Sequence, residues 1–176
     1  MSPPSDEAAH PPALVVVLDT SVLIAMKSID VGKQWPLLVL MGDLVTDGRL
    51  CFPPQVSREI TRIQFPDAPG AWGAHFKGHE RYRQPREESL AEVLGVAPRL
   101  VDPEGEDDTE PADPYVAAMA YEIRERYNEC QVIVATNDHI DHGGRDSLTT
   151  ACGRLGIECW RADEFVAWVA ALAEQS

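Results

Sequence analysis

The run Leu14-Val15-Val16-Val17-Leu18, broken off by Asp19, constrains this chain more than any other stretch. Five apolar residues in a row, three of them β-branched, fit a strand buried on both faces. Such strands belong to parallel sheets covered by helices above and below. Thr20 and Ser21 follow, and the apolar pattern then resumes as Val22-Leu23-Ile24, so Asp19 falls where a strand ends and a helix starts. In open α/β sheets, ligands bind outside that carboxyl end of the strands. A carboxylate there is either a helix cap or part of a site.

A second run of the same kind, Gln131-Val132-Ile133-Val134-Ala135, ends at Thr136-Asn137-Asp138. Shorter strands are predicted at 49–52, 98–101 and 157–160. The helix after Asp19 should be short, because Gly32 and Pro36 interrupt it, and a second apolar helix follows at 35–44, closed by Asp47-Gly48. Residues 54–63 read as a helix with proline in its first turn. Val56, Ile60 and Ile63 share one face there, and Glu59 borders it. Further helices are predicted at 72–76, 87–94, 147–155 (stopped by Gly156) and 165–172. Another begins with Asp113 at the N-cap and Pro114 at the first helical position, and runs to about Tyr127. This alternation spells an α/β fold, a three-layer α/β/α sandwich around a mainly parallel sheet. Residues 1–13 read as a disordered lead-in and 14–176 as one domain, with 65–112 its least regular part.

Size and composition narrow the class further. A chain of 176 residues supports one domain with a sizeable core. No apolar run approaches the ~20 residues of a membrane span, and the N-terminus lacks the basic-then-apolar pattern of a secretory signal. The four cysteines, Cys51, Cys130, Cys152 and Cys159, form no C-x-x-C pair and fall inside predicted elements. They are expected to be buried free thiols, as in a cytoplasmic protein. Neither G-x-G-x-x-G nor G-x-x-x-x-G-K-[ST] is present, so dinucleotide and P-loop readings have no support. The net charge of -14 argues against broad, sequence-independent nucleic-acid binding, which relies on positive charge.

Parallel strands end on one side of a sheet, so Asp19 and Asp138 should emerge together. Asp113 opens a helix whose N-terminus, in an α/β crossover, commonly lies at that same edge. Glu59 joins them if its helix passes nearby. Each has a structural reading as well: a cap for Asp19 and Asp113, a surface glutamate for Glu59, a turn residue for Asp138. Four converging carboxylates repel unless cations hold them. Hard divalent ions with oxygen ligands suit such a cluster, and Mg²⁺ or Mn²⁺ on carboxylates suits phosphate chemistry.

Four segments carry a family resemblance: Asp19-Thr20-Ser21-Val22-Leu23-Ile24, Pro54-x-x-x-x-Glu59, Asp113-Pro114-Tyr115-Val116-Ala117-Ala118 and Val134-Ala135-Thr136-Asn137-Asp138. Together they resemble the PIN domain, a family of metal-dependent ribonucleases that includes toxins of prokaryotic type II toxin–antitoxin pairs. Gly48-x-Leu50-x-x-Pro53-x-x-Val56-x-x-Glu59, Trp72 and Cys152-x-x-Leu155-Gly156-Ile157 are similar to a less characterised PIN-like branch. The resemblance covers about 14–172. It implies that Asp19, Glu59, Asp113 and Asp138 form an acidic quartet holding one or two Mg²⁺ or Mn²⁺ ions, with Thr136 orienting a ligand or water. It further implies an endoribonuclease with RNA as substrate and, for a toxin, an antitoxin protein as partner; it leaves a homodimer open. The chain departs from compact toxins in its longer 65–112 segment and its strongly acidic charge.

A local charge reversal bears on that acidity. From Arg49 to Arg86 there are seven basic and three acidic residues, a net of +4. Lys77, Arg81 and Arg83, with His75, His79 and Arg86 and the aromatic Phe76 and Tyr82, form a stretch suited to gripping phosphates and stacking bases; a solvated face is the plainer alternative. Residues 102–111 carry six acids and read as solvated loop. Asp141, three residues after Asp138, is a candidate support for the metal site. Two other functions compete with the nuclease. A haloacid-dehalogenase-type phosphatase also sets an aspartate after its first strand, but needs a second carboxylate two residues on, where this chain has Ser21. A non-catalytic PIN-like scaffold that binds RNA or protein is the other.

Overall fold

The computed structural model describes residues 12–62, 67–76, 84–101 and 110–175. The disordered lead-in expected at 1–13 lies outside them except for Pro12 and Ala13, as do Ile63, the basic residues Lys77, Arg81 and Arg83, and the acids of 102–109.

Both apolar runs are strands of a four-stranded sheet. β1 (Leu14–Leu18) pairs in parallel with β3 (Gln131–Ala135) from Leu14↔Gln131 to Leu18↔Ala135. β2 (Leu50–Cys51) pairs with β1 and β4 (Glu158–Trp160) with β3, all parallel, giving the order β2-β1-β3-β4. Val15 to Leu18 and Ile133 to Ala135 have no solvent exposure, as strands covered on both faces require. The chain moves outward in opposite directions from β1 and β3. The gap between their carboxyl ends is therefore the topological switch point, where such sheets bind ligands.

Helices fill both faces. α1 (Thr20–Met26) follows β1 directly, and α2 (Val31–Thr46) packs on β2 and on α8 (Ala162–Ala173), which also meets β4. α6 (Ala112–Arg126) lies along β1 and β3, flanked by α5 (Glu87–Val96) and α7 (Leu148–Arg154). α3 (Pro54–Ile60) and α4 (Ala68–His75) pack on each other and on α1. The result is the expected three-layer α/β/α sandwich, with a central sheet that is parallel throughout.

Several boundaries differ from the sequence reading for identifiable reasons. Gly32 and Pro36 do not break a helix: Asp30 caps α2 by accepting the Gly32 N–H at 3.0 Å, and Pro36 sits inside it. The N–H that proline lacks would have met the carbonyl of Gly32, in the first turn, where its loss is least disruptive. Residues 98–101 are no strand. Pro98–Leu100 form a 3₁₀ turn in which the Leu100 N–H bonds the Ala97 carbonyl, and proline has no donor for a ladder. α3 stops at Ile60, where the Thr61 hydroxyl takes the Ser57 and Arg58 carbonyls. α4 starts at Ala68 because Asp67 caps it through the Gly70 N–H.

Gly48 (φ 72°) and Gly156 (φ 69°) do end α2 and α7 in the left-handed region that glycine tolerates. All four cysteines are free; Cys51, Cys130 and Cys152 are buried and Cys159 half-buried. Among the described residues no helix is long and apolar enough to cross a membrane.

Candidate functional site

The ladder ends at Leu18↔Ala135, and the Asp19 N–H still bonds the Ala135 carbonyl at 3.0 Å. Asp19 and Thr136 are thus neighbours at the switch point by the register of the sheet alone. Asp19 is 2% exposed and its carboxylate caps α1 weakly, taking the Ser21 N–H at 3.3 Å. Stronger bonds come from hydroxyls: Ser21 Oγ donates to Asp19 Oδ2 at 2.5 Å and Thr136 Oγ1 donates to the same oxygen at 2.9 Å. Among the described residues these three bonds all fall on Oδ2, leaving Oδ1 without a donor. Burial is the main cause that raises the Asp19 pKa; the Ser21 and Thr136 bonds oppose it, and the charge of Glu59 adds to it.

Thr136-Asn137-Asp138 divides its work among three side chains. Thr136, fully buried, also accepts the Asp138 N–H at 3.0 Å, so one hydroxyl couples the two strand-end acids. Asn137 turns outward and caps α8, its Oδ1 accepting the Ala162 N–H at 2.9 Å. Asp138 turns back to the site, with Oδ2 accepting the Leu148 N–H at 2.8 Å.

Asp113 is not the N-cap that the sequence suggests. α6 begins two residues earlier, with Pro111 at the cap position and no side-chain capping bond, and Asp113 lies within the first turn. The exposed donor at that helix start is met from another element: Glu59 Oε1 accepts the Ala112 N–H at 2.8 Å. Glu59 Oε2 accepts the Thr20 hydroxyl at 2.6 Å. Both oxygens of Glu59 are therefore engaged in tying α1 and α6 to α3. Freed from capping, Asp113 shares a guanidinium nitrogen with Asp138, and its pKa is pushed up to about 7. Burial is the largest cause, followed by the charge of Asp19; Arg145 opposes them, and Asp138 and Glu59 add further repulsion. Asp113 thus feels the charge of all three other sequence-predicted acids.

Sequence reasoning missed Arg145. Its Nη2 bonds Asp113 Oδ2 and also Asp138 Oδ2, the latter at 3.0 Å, with the arginine side chain 29% exposed. The clue available was a basic residue in the same loop as Asp138, seven positions on; nothing in its spacing marks it. Asp141 does not reach the quartet. Its Oδ1 accepts the Ser147 N–H at 2.7 Å and the Thr150 hydroxyl at 2.8 Å, and these bonds, the Ser147 N–H foremost, pull its pKa down to about 2. It is a loop clamp at the start of α7.

Beside the acids lies a mainly apolar groove of about 770 Å³, bounded by Met26, Ile29, Asn137, Ile140, Arg161 and Val166. It adjoins the Asp138 turn without including the carboxylates.

The donor set fits a hard divalent cation in chemistry. Asp19, Asp113 and Asp138 each keep an oxygen that accepts no hydrogen bond among the described residues, and a guanidinium already sits where the negative charge converges. As the side chains stand, no three His, Cys, Asp or Glu residues among those described form a ready ligand cluster.

Compared with models of known protein families and with curated proteins, the chain matches none.

Proposed function

We propose that this chain is a PIN-like, metal-dependent endoribonuclease. What carries the reading is the meeting of Asp19, Asp113 and Asp138 at the β1/β3 switch point, with a cation already drawn to them. Ordinary caps would not behave in this way. Asp113 caps no helix, the capping bond that Asp19 takes from the Ser21 N–H is its longest, and Asp138 takes the Leu148 N–H while also bonding Arg145.

Asp19, Asp113 and Asp138 would hold Mg²⁺ or Mn²⁺, with Glu59 contributing charge from behind. A divalent ion supplies Lewis acidity, lowering the pKa of water and neutralising charge on a phosphodiester. The protein's own part is positional. Ser21 and Thr136 fix Asp19 through one oxygen and so aim the other. Leu148 N–H orients Asp138. Glu59 locks the helix that carries Asp113. On this reading RNA is the substrate, leaving 5′-phosphate and 3′-hydroxyl ends by family likeness. If the chain is a toxin, an adjacent reading frame should encode a small DNA-binding protein with an unstructured tail.

The test is cleavage of a mixed RNA pool with and without Mg²⁺ or Mn²⁺, set against Asp19→Asn. That change keeps an acceptor for Ser21 and Thr136 but removes the charge. Metal-dependent cleavage by the wild type, lost in the variant, supports the nuclease. RNA binding without cleavage under every metal condition would favour the scaffold, and equal rates in both proteins would show that the site lies elsewhere.

A further inference from the structure

Four acids at one sheet edge need positive charge, and in this chain part of it comes from within. Among the described residues Arg145 is the one cation bonded to any member of the quartet, and a single nitrogen, Nη2, serves both Asp113 and Asp138. We propose that Arg145 is a built-in counter-ion that occupies the cation position between Asp113 and Asp138, and that its side chain must withdraw before a divalent ion is bound there. The inference rests on the metal-binding reading of the quartet and adds a regulation to it.

The loop around Arg145 is built to hold its backbone still. His142 and Arg145 exchange backbone hydrogen bonds of 2.9 and 2.6 Å. The Asp146 N–H bonds the Arg99 carbonyl at 2.8 Å. The Asp146 carboxylate, 2% exposed, is held by Arg154 at 2.7 Å with Arg99 at 3.7 Å. Asp141 clamps the Ser147 N–H on the far side. Arg145 is thus bracketed by anchored residues, while its own long side chain remains partly in solvent. Movement is therefore confined to side-chain torsions, which require no loop rearrangement.

Charge makes the two occupants exclusive. A guanidinium on Oδ2 of Asp113 and of Asp138 and a divalent ion on the remaining oxygens of the same carboxylates repel at close range. With Arg145 in place, its Nη2 holds one oxygen of Asp113 and one of Asp138. A ligand that binds only a minor conformer shows an affinity reduced by that conformer's population. If Arg145 is withdrawn in roughly one molecule in ten, metal binds about tenfold more weakly than the bare acids would allow. The chain would then rest in a closed form stable without metal, and load only where the divalent ion is plentiful.

The experiment is Mn²⁺ titration by calorimetry of the full-length chain as wild type, Arg145→Gln and Arg145→Lys, with melting followed in parallel. Expected is Mn²⁺ binding tighter by about tenfold or more in Arg145→Gln, close to wild type in Arg145→Lys, and a lower metal-free melting temperature in Arg145→Gln that Mn²⁺ restores. A residue that merely supports the site would give the opposite sign in affinity. A second measurement needs no variant: in wild-type protein, Mg²⁺ should speed hydrogen exchange at the Arg145 Nη2–H that bonds both carboxylates, seen by ¹⁵N NMR. Binding by Arg145→Gln equal to or weaker than wild type, or an Arg145 signal unmoved by saturating Mg²⁺, overturns the counter-ion role and leaves the metal site standing. Absence of binding to wild type and to Arg145→Gln alike overturns both.

Discussion

Thr136 donates its hydroxyl to Asp19 Oδ2 at 2.9 Å across the seam between β3 and β1, and Thr136 Oγ1 itself accepts the Asp138 N–H at 3.0 Å. One buried hydroxyl thereby sets the orientation of a carboxylate on one strand end and the backbone of a carboxylate on the next. Hydrogen bonds involving charged groups in such surroundings are worth about 1.5–3 kcal/mol, and an amide left without a partner adds its own desolvation cost.

Thr136→Val keeps the shape and removes both bonds. It should lower stability by about 1–3 kcal/mol in urea denaturation and weaken Mn²⁺ binding, whereas Thr136→Ser should retain most of each. A valine variant as stable as the wild type would mean that the Asp19 and Asp138 positions are set by the sheet alone.

The sheet itself was legible because β1 and β3 are buried on both faces, and a run such as Val15-Val16-Val17 has few other ways to fold. Their endings were legible for the same reason, which is why Asp19 and Asp138 could be paired before any coordinates. Asp113-Pro114 is a strong capping signal, yet α6 starts ahead of it at Ala112, and the Ala112 N–H is met by Glu59, fifty-three residues away. Arg145 was not legible at all. Its partners are set by how the 141–147 loop folds back, through the bond of Asp141 to the Ser147 N–H and the pairing of Asp146 with Arg99 and Arg154, which no local pattern encodes. Residues 98–101 have the apolar content of a short strand, but Pro98 has no N–H to give a ladder, and the stretch turns instead.

The pH dependence follows from Asp113 and Asp19, whose pKa values are both raised by folding. Between the unfolded value near 3.8 and the folded value of about 7, Asp113 binds more protons in the native state. Stability from this group is therefore fully present below the unfolded value and is lost as pH rises through the folded one, by up to a few kcal/mol. Asp141 works in the opposite sense, but its contribution is complete above its ordinary carboxylate range and stays constant here. Metal-free protein should melt at a higher temperature at pH 5.5 than at pH 8, and Asp113→Asn should flatten the difference. Saturating Mg²⁺ should recover stability at pH 8, where the acids are charged, more than at pH 5.5. A melting temperature that rises with pH in the metal-free protein would contradict the raised carboxylates.

Glu59 allows charge and scaffolding to be separated. Its two oxygens meet one backbone N–H and one hydroxyl. Glutamine can serve the same pair, its oxygen accepting from Ala112 while its amide donates to a rotated Thr20 hydroxyl. Glu59→Gln should therefore fold as well as the wild type, relieve some repulsion on Asp113, and weaken Mn²⁺ binding only a few-fold. Glu59→Ala should lose about 1–3 kcal/mol, because the Ala112 N–H is left unmet. Calorimetric Mn²⁺ titration and urea denaturation of the two variants check both claims. If glutamine abolishes metal binding as thoroughly as Asp19→Asn, Glu59 ligates directly and gives up one of its present partners to do so.

The remaining prediction concerns how an acidic chain would hold an acidic polymer. Lys77, Arg81 and Arg83 lie in the stretch between α4 and α5, outside the described residues, and they supply much of the +4 that sets 49–86 apart in a chain of net charge -14. Replacing all three with glutamate should raise KM for RNA and leave Mn²⁺ affinity near normal, since gripping phosphates and ligating metal are separate tasks. Each lost phosphate contact should also flatten the dependence of log affinity on log salt, by roughly 0.7 for a single strand and so by about 2 for three contacts. That slope discriminates better than KM does. A variant that merely misfolds loses Mn²⁺ binding as well, and one that perturbs the chemistry leaves the slope alone. An unchanged KM and an unchanged slope would assign the stretch to solvent. RNA would then be gripped by the metal ions, by helix N-termini or by a second subunit, and the +4 would serve only to balance the acids elsewhere in the chain.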